Sequence, residues 1–136
     1  MVISSKGRYA LRVMVDLAEH GGDGYVSMRD VARRQELSDK YAGQVMSLLS
    51  RAGLVSGVTG KGGGYRLTRK PEEYPLGEIL RLTEGSLAPV ACLEEGAHPC
   101  DRAAQCRTLP VWHRLGQIMG DYLDSVTLPD LLKTDE

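Results

Sequence analysis

Residues 27–67 decide the fold, and they read SMRDVARRQELSDKYAGQVMSLLSRAGLVSGVTGKGGGYRL. Ser27 and Ser38 are favourable helix N-caps, so each predicts the start of a helix. Apolar residues follow both serines at helical spacing, with only Glu36 and Leu37 between the two predicted helices. The stretch therefore predicts a short helix, a tight turn and a second helix that begins at Ser38.

Two short strands are predicted after these helices. Residues 54–58 and 65–68 are rich in strand-forming side chains, and a glycine-rich loop that carries Lys61 separates them. Two helices joined by a tight turn and followed by such a hairpin form a winged helix-turn-helix. The fold class is then mostly α, with a small β-hairpin wing, and the helix from Ser38 to Arg51 is the recognition helix.

The remaining chain predicts three more helices and a loop. Apolar residues recur at helical spacing over residues 9–19, and a short helix is expected from Leu76 to near Gly85. Pro110 suits the start of a last, long helix. The predicted divisions are a winged helix-turn-helix domain at 1–85, a cysteine-bearing sensor loop at 86–108, and a dimerisation helix with a tail at 109–136.

The last helix predicts a homodimer. A domain of this size leaves one long helix without a neighbour, so we expect its apolar stripe to form the seam between two copies. The alternative is a stripe that packs into the core of its own chain. The stripe consists of Val111, Leu115, Ile118, Met119 and Tyr122.

Length and composition limit the class of protein. A chain of 136 residues with 42% apolar side chains is long enough for one domain with an appendage. It contains no apolar run near the roughly 18 residues that a membrane span needs, and no secretory signal. We therefore expect a soluble cytoplasmic protein with no membrane contact and with reduced thiols.

Charge is divided unevenly along the chain. Residues 1–70 hold 12 Lys and Arg against 6 Asp and Glu, whereas the remainder holds 5 against 12. A basic half favours a surface that meets a polyanion, and the alternative is a chance division of solvated faces. Together with the predicted fold, the basic half indicates double-stranded DNA as the partner.

The predicted recognition helix offers polar side chains for reading bases. Ser38, Lys40 and Gln44 lie in its first turns, where Gln suits adenine and Lys suits guanine or phosphate. Lys61 on the glycine-rich loop is placed to probe the minor groove or a phosphate. An ordinary amphipathic surface helix is the alternative interpretation. Further phosphate contacts are expected from basic residues of the same half, namely Lys6, Arg8, Arg29, Arg33, Arg34 and Arg66.

Three cysteines suggest a metal site. Cys92, Cys100 and Cys106 are the only cysteines of the chain, and they share one loop. Three soft ligands on a loop favour an iron–sulfur cluster or zinc. Two alternatives remain open, which are three small buried thiols and a redox switch through a Cys100–Cys106 disulfide.

Several segments resemble one family closely. These are SSKGRYALRVMVDLA at 4–18, GLVSGVTGKGGGYRL at 53–67 and YLDSVTLPDLL at 122–132, together with the S-D-K-Y turn and the three cysteines. The chain resembles the Rrf2 family of bacterial winged-helix regulators, and within it the IscR-like branch with three cysteines. The resemblance implies a homodimeric transcription factor.

The resemblance also implies positions that contact DNA. In the recognition helix these are occupied by Ser38, Lys40, Tyr41 and Gly43, and in the wing by Thr59, Gly60 and Lys61. The IscR-like branch has glutamate where this chain has Gly43 and arginine where it has Thr59. These departures imply a different operator sequence. The spacing of Tyr41 with Val45 alternatively places Tyr41 on the packed face of the helix.

By the same resemblance, Cys92, Cys100 and Cys106 would hold an iron–sulfur cluster, with 2Fe–2S favoured over 4Fe–4S. The fourth ligand stays open, because family members use positions that Leu109 and Arg8 hold here, and neither side chain binds metal. The remaining candidates are His98, Asp101, His113 and a small thiol or other exogenous ligand.

The favoured hypothesis is therefore a DNA-binding transcriptional regulator whose operator binding is modulated by an iron–sulfur cluster. The signal would be iron–sulfur biogenesis, redox state or nitric oxide. The alternatives are an iron–sulfur or zinc carrier or scaffold, and a regulator that acts through a partner metabolic enzyme. We expect no enzymatic activity, because the sequence shows no paired acid and base, no activated nucleophile and no cofactor loop.

Overall fold

A computed structural model describes residues 3–98 and 100–132. The predicted order of helices and hairpin is confirmed in these residues, and short 3-10 turns lie at Pro71–Glu73 and Ala91–Leu93. The elements are α1 (Ser5–His20), α2 (Met28–Gln35), α3 (Asp39–Arg51), β1 (Val55–Val58), β2 (Gly64–Leu67), α4 (Leu76–Glu84), α5 (Leu109–Ser125) and α6 (Leu128–Leu131).

Serine N-caps begin the first three helices. The Ser27 Oγ accepts a hydrogen bond from the Asp30 N–H at 3.4 Å, and the Ser38 Oγ accepts one from the Tyr41 N–H at 3.0 Å. Ser4 likewise caps α1, which therefore begins before the predicted Tyr9. Each cap satisfies a backbone donor that the helix itself leaves without a partner.

The core lies between α1, α3 and α4. Val13, Met14 and Leu17 of α1 are buried against residues such as Met46 and Ile79. The short α6 was not predicted, but its Leu128 is completely buried and belongs to the same core. The chain after α5 therefore returns to the first helix.

The wing is attached to the helix-turn-helix at two places. β1 and β2 pair antiparallel, and Val26 exchanges two backbone hydrogen bonds of 2.8 Å with Tyr65 of β2. At the base of the hairpin, the buried Tyr74 hydroxyl donates to the Leu54 carbonyl at 2.7 Å. The same oxygen accepts the backbone N–H of Thr68 at 2.9 Å and of Arg69 at 3.0 Å. The hairpin therefore has a defined orientation relative to α3.

α5 is held against α4 by a surface ion pair. The Arg81 guanidinium contacts both carboxylate oxygens of Asp124, at 2.6 and 3.1 Å. Gly77 lies beneath this pair, where a Cβ would come within 1.9 Å of the Asp124 Oδ1. None of the helices described is long and apolar enough to cross a membrane.

Candidate nucleic-acid interface and cysteine loop

The polar face of α3 is open to solvent. Ser38, Lys40 and Gln44 are exposed, whereas Val45 and Leu49 on the opposite face are buried. The same division between a packed and a presented face was predicted from the spacing of the apolar residues. The two base-reading candidates, Lys40 and Gln44, are therefore not covered by their own chain.

Tyr41 has a packing contact. It is half-buried, and its ring meets the ring of Tyr9 on α1 edge to face, with 5.3 Å between the centroids. Aromatic pairs favour this geometry because the positive ring edge points at the negative ring face. A DNA contact by Tyr41 stays a prediction, and its packing onto α1 is the observed role.

The wing presents its tip to solvent. Thr59, Gly60 and Lys61 are all exposed. The Gly63 N–H donates to the Gly60 carbonyl at 3.0 Å, and Gly62 has φ of 79°, so a tight turn places Lys61 at the end of the hairpin. A turn of this kind requires a positive φ at its third residue, which glycine adopts without strain.

The arginines predicted to contact phosphate differ in whether they already have a partner in the protein. Arg8, Arg29 and Arg66 are exposed, and the Arg66 guanidinium lies 4.8 Å from the centroid of the Tyr25 ring. Arg34 instead binds the Asp16 carboxylate at 2.7 and 3.0 Å, and this hydrogen bonding raises the pKa of Arg34. Arg34 therefore has a structural role in pairing with Asp16, and a phosphate contact by Arg34 stays a prediction.

Sequence reasoning missed the buried carboxylate itself. The Asp16 side chain is fully shielded from solvent. It lies on the same helical face as Val13 and Leu17, and an acidic residue on an apolar stripe is rarely buried without a partner. The position of an acidic residue on an apolar face was the available signal for a buried ion pair, but the sequence alone does not show which arginine is its partner.

The three cysteines lie between α4 and α5 as free thiols. Cys92 belongs to the 3-10 turn at Ala91–Leu93, Cys100 is exposed, and Cys106 is half-buried just before α5. The Cys106 Sγ lies 3.4 Å from the Thr108 Oγ1, and hydrogen bonding to Thr108 lowers the pKa of the Cys106 thiol. Among residues 3–98 and 100–132, no group of three or more His, Cys, Asp and Glu side chains is close enough to hold a metal ion.

The structure therefore does not bring the predicted metal ligands together. His98, Asp101 and His113 are each exposed, and none is joined to the thiols in a ligand group within the described residues. By chemistry the three thiols suit a soft metal or an iron–sulfur cluster. In the described structure the three thiols are too far apart to share a metal, so the loop would have to bring them together before a metal could bind.

The family is decided by comparison with known proteins. The family described as "Rrf2: Iron-dependent Transcriptional regulator" matches residues 3–134. The chain belongs to the Rrf2 family. It is 37% identical over 136 residues to the HTH-type transcriptional regulator IscR of Aliivibrio salmonicida, and the match covers all of this chain and 80% of that relative.

Solved structures of Rrf2 relatives share the fold over nearly the whole chain. The structure of CymR, the global cysteine regulator of B. subtilis, matches with a TM-score of 0.80 and 38% identity over 99% of each chain. T. potens IscR matches with a TM-score of 0.74 and 37% identity, over 96% of this chain and 85% of that one. The predicted family and winged-helix fold are confirmed.

These matches establish the general function of the chain, which is regulation of transcription. This Rrf2-family protein is a transcriptional regulator, and its relatives are named for that non-enzymatic role. Transcriptional regulation implies DNA binding, for which α3 and the wing provide exposed polar and basic side chains.

Proposed function

We propose that this regulator binds duplex DNA as a homodimer, with α3 in the major groove and the wing at the backbone or minor groove. The observation that carries the proposal is the exposure of Lys40 and Gln44 on α3 together with Lys61 on the wing. The major groove, about 12 Å wide, admits a helix such as α3. The Leu54 N–H, just before β1, donates to the Leu49 carbonyl of α3, and Val26, just before α2, pairs with Tyr65 of β2, so the helices and the wing can contact one duplex as a unit.

The contacts divide into base reading and backbone positioning. Gln44 would pair with adenine, and Lys40 would meet guanine acceptors or phosphate. Ser38 and Tyr41 support the first turn of α3 at the groove. The remaining contacts are assigned to the wing and to exposed arginines, which are Thr59, Gly60, Lys61, Arg8, Arg29 and Arg66.

The dimer would form through α5. No residue of α5 is buried, and its apolar side chains stand open, with exposed fractions of 56% for Val111, 49% for Ile118 and 66% for Tyr122. Together with Leu115 they recur at helical spacing on one face, and Met119 beside them is half-buried. A contiguous apolar stripe of this kind favours burial against a second copy, because its exposure to water is unfavourable.

We further propose that Cys92, Cys100 and Cys106 bind an iron–sulfur cluster, with 2Fe–2S favoured. The cluster would supply a redox-active and labile link between the three thiolates. A fourth ligand would come from His98, Asp101, His113 or a small exogenous thiol. The thiols are not gathered in the described structure, so this proposal requires the loop of residues 86–108 to rearrange.

The first residues of this loop lie close to contacts with α1 and α5. Glu84, the last residue of α4, accepts hydrogen bonds from the Ser4 backbone N–H and from the Ser4 Oγ at the start of α1, the latter at 2.7 Å. Pro89 lies against α5, where a Cβ on Gly116 would be 3.2 Å from its Cδ. A change in the loop would therefore act on both α1 and α5, and thereby on the spacing of the two recognition helices in a dimer.

Anaerobic purification tests the cluster. We expect a coloured protein with iron and acid-labile sulfide, and colourless products from Cys92→Ser, Cys100→Ser and Cys106→Ser. A colourless, iron-free preparation that contains zinc would contradict the iron–sulfur assignment. DNA binding is tested separately by selecting duplexes from a randomised pool, and equal affinity for every duplex would contradict sequence-specific regulation.

A second candidate is a regulator switched by thiol oxidation without metal. It is favoured by the free state and the separation of the three thiols in the described residues and by the exposure of Cys100. Two thiols, Cys100 and Cys106, would lose two electrons and two protons to a peroxide, which is reduced to water as the disulfide forms. Iron-free protein whose DNA affinity changes on peroxide treatment, and is restored by a dithiol reductant, would favour this candidate.

A further inference from the structure

A chain of polar and aromatic contacts links α1 to the last residue of α2 and the first turn of α3. We infer that Arg12 is a positioning residue for the recognition helix, which it holds through Gln35 on one side and through Tyr9 and Tyr41 on the other. The inference rests on the proposed function, since it assumes that the exposed face of α3 reads DNA.

On the side of α2, Arg12 binds a helix end. Its Nε donates to the Gln35 Oε1 at 3.2 Å, and its Nη2 donates to the Gln35 backbone carbonyl. Carbonyls in the last turn of a helix have no partner within the helix, and a cation there also interacts favourably with the helix dipole. Arg12 thus stabilises the last turn of α2, where the turn to α3 begins.

Gln35 is itself anchored in the protein. Its Nε2 donates to the Asp16 Oδ2 at 2.9 Å, and the buried Asp16 carboxylate also accepts two hydrogen bonds from Arg34. The Gln35 amide therefore has one defined orientation, with its nitrogen towards Asp16 and its oxygen towards Arg12. Because Asp16 and Arg12 both lie on α1, the end of α2 is joined to α1 at two points.

On the side of α3, the same guanidinium stacks on an aromatic ring. The Arg12 Cζ lies 5.1 Å from the centroid of Tyr9, and Tyr9 packs edge to face on Tyr41. Tyr41 immediately follows Lys40 and lies about one turn before Gln44 on α3. A shift of the Tyr41 ring would therefore rotate the two base-reading candidates relative to the rest of the domain.

This arrangement predicts an effect on specificity. Base reading requires side-chain atoms to be positioned to within about 0.5 Å, whereas a phosphate contact tolerates small rotations of the side chain. Loss of the Arg12 contacts should therefore weaken binding to a preferred sequence more than binding to an unrelated one. A residue that only contacts phosphate would weaken both equally.

The test compares Arg12→Met with Arg8→Met, which removes an exposed arginine one turn earlier on α1. Affinities are measured for a duplex that the unmodified protein enriches from a randomised pool and for a scrambled duplex of equal composition. For Arg12→Met we expect the preference to fall about tenfold with the slope of log K against log salt unchanged. For Arg8→Met we expect the preference to be kept and the slope to decrease by about 0.9.

Two further variants separate positioning from loss of stability. Tyr9→Phe keeps the ring and should keep the preference, whereas Tyr9→Leu removes both aromatic contacts and should behave like Arg12→Met. Amide hydrogen exchange on the free protein should be faster at residues 39–45 in Arg12→Met and Tyr9→Leu, and unchanged in Arg8→Met.

The inference is overturned if Arg12→Met keeps its preference, if it lowers the salt slope as Arg8→Met does, or if exchange at residues 39–45 is unchanged. If the unmodified protein enriches no duplex, the proposed function fails. The exchange measurement then decides the positioning role alone, since it requires no DNA.

Discussion

The two halves of this regulator differ in how they are held together. The DNA-binding half, residues 3–87, contains all of the buried apolar side chains of the described chain except Leu128. The arm, residues 88–127, contains none among its described residues 88–98 and 100–127, and no residue of α5 is buried. The first half therefore contains nearly all of the core, which Leu128 of α6 joins, whereas the arm is held by the Arg81–Asp124 ion pair and by the return of the chain through α6.

This difference identifies the part of the chain that can rearrange without disrupting the core. Local stability follows buried apolar contacts, so a segment without them is the part that rearranges most easily. The proposed DNA-contacting residues of α3 and the wing lie in the first half, and the three cysteines lie in the arm. In the proposed dimer, a change at the cysteines would therefore alter the relation between the two DNA-binding halves without unfolding either of them.

The largest expected effect tests the rigidity of the DNA-binding half. Asp16→Ala removes the three hydrogen bonds that the buried carboxylate accepts from Arg34 and Gln35, and the loss of these bonds to a charged group should lower the free energy of unfolding by about 3 kcal/mol. Urea denaturation measures this change. Asp124→Ala, which breaks the exposed pair with Arg81, should cost less than about 1 kcal/mol. Equal losses in the two variants would contradict the contrast between the halves.

The next prediction concerns the exposed stripe of the arm. Tyr122→Asp places a charge in the proposed seam and should raise the dissociation constant of the dimer about 100-fold. Sedimentation velocity over a range of protein concentrations measures it. Gln117→Asp introduces the same charge at an exposed position of α5 outside the stripe and serves as the control. A monomer at every concentration of the unmodified protein would show that the stripe is not a seam.

DNA contacts should be confined to the rigid half. Replacing both Lys40 and Gln44 with Ala should reduce discrimination between sequences by about 1–3 kcal/mol per lost base contact. Lys61→Ala should weaken binding to all sequences and lower the salt slope by about 0.9. Fluorescence anisotropy with preferred and scrambled duplexes distinguishes the two patterns. Arg114→Ala, in the arm, is the control, and a loss of discrimination there would place base reading outside α3.

Acid should weaken the contact of α5 with α4. The hydrogen bonds from Arg81 lower the pKa of Asp124 below its usual value of about 3.9. The stabilisation is therefore present above that usual value and is lost as the pH falls through the lowered pKa. Trp112, the single tryptophan, lies on α5, and its fluorescence should change in this range. Asp124→Asn should abolish the transition, and an identical transition in that variant would assign it to another group.

The smallest expected effect lies in the turn between α2 and α3. Glu36 has φ of 57° and ψ of 44°, a left-handed conformation that is unfavourable for a side chain with a Cβ. Glu36→Gly relieves this strain and should raise the free energy of unfolding by about 0.5 kcal/mol. Thermal unfolding measures the change. Gln117→Gly, at an exposed position in the interior of α5, should lower the free energy of unfolding by about 0.5–1 kcal/mol instead.

Local patterns predicted most elements of the DNA-binding half. Ser27 and Ser38 act on backbone groups only three residues ahead, and the glycines of the wing determine a turn within a few residues. Such signals operate over short distances along the chain, so they can be read without knowing the fold. The exposed face of α3 followed from the same local periodicity.

Contacts between residues far apart in the sequence could not be predicted from local patterns. Tyr74 joins Leu54, Thr68 and Arg69 in one hydrogen-bonded group, although nothing in its surroundings along the chain marks it. The start of α1 at Ser5 and the return of α6 to the core were also missed. Both depend on residues distant in sequence, since Ser4 binds Glu84 and Leu128 packs in the core that α1 helps to form.

The helix-turn-helix, the glycine-rich wing and the common loop of the three thiols could be predicted from the residue pattern alone, because caps, turns and periodicity act between neighbours. The pairing of Arg34 with Asp16, the packing of Tyr41 on Tyr9 and the separation of the thiols in the described residues became visible only in the folded chain. Burial and pairing depend on which distant segments meet, and that is settled by the packing of the whole core.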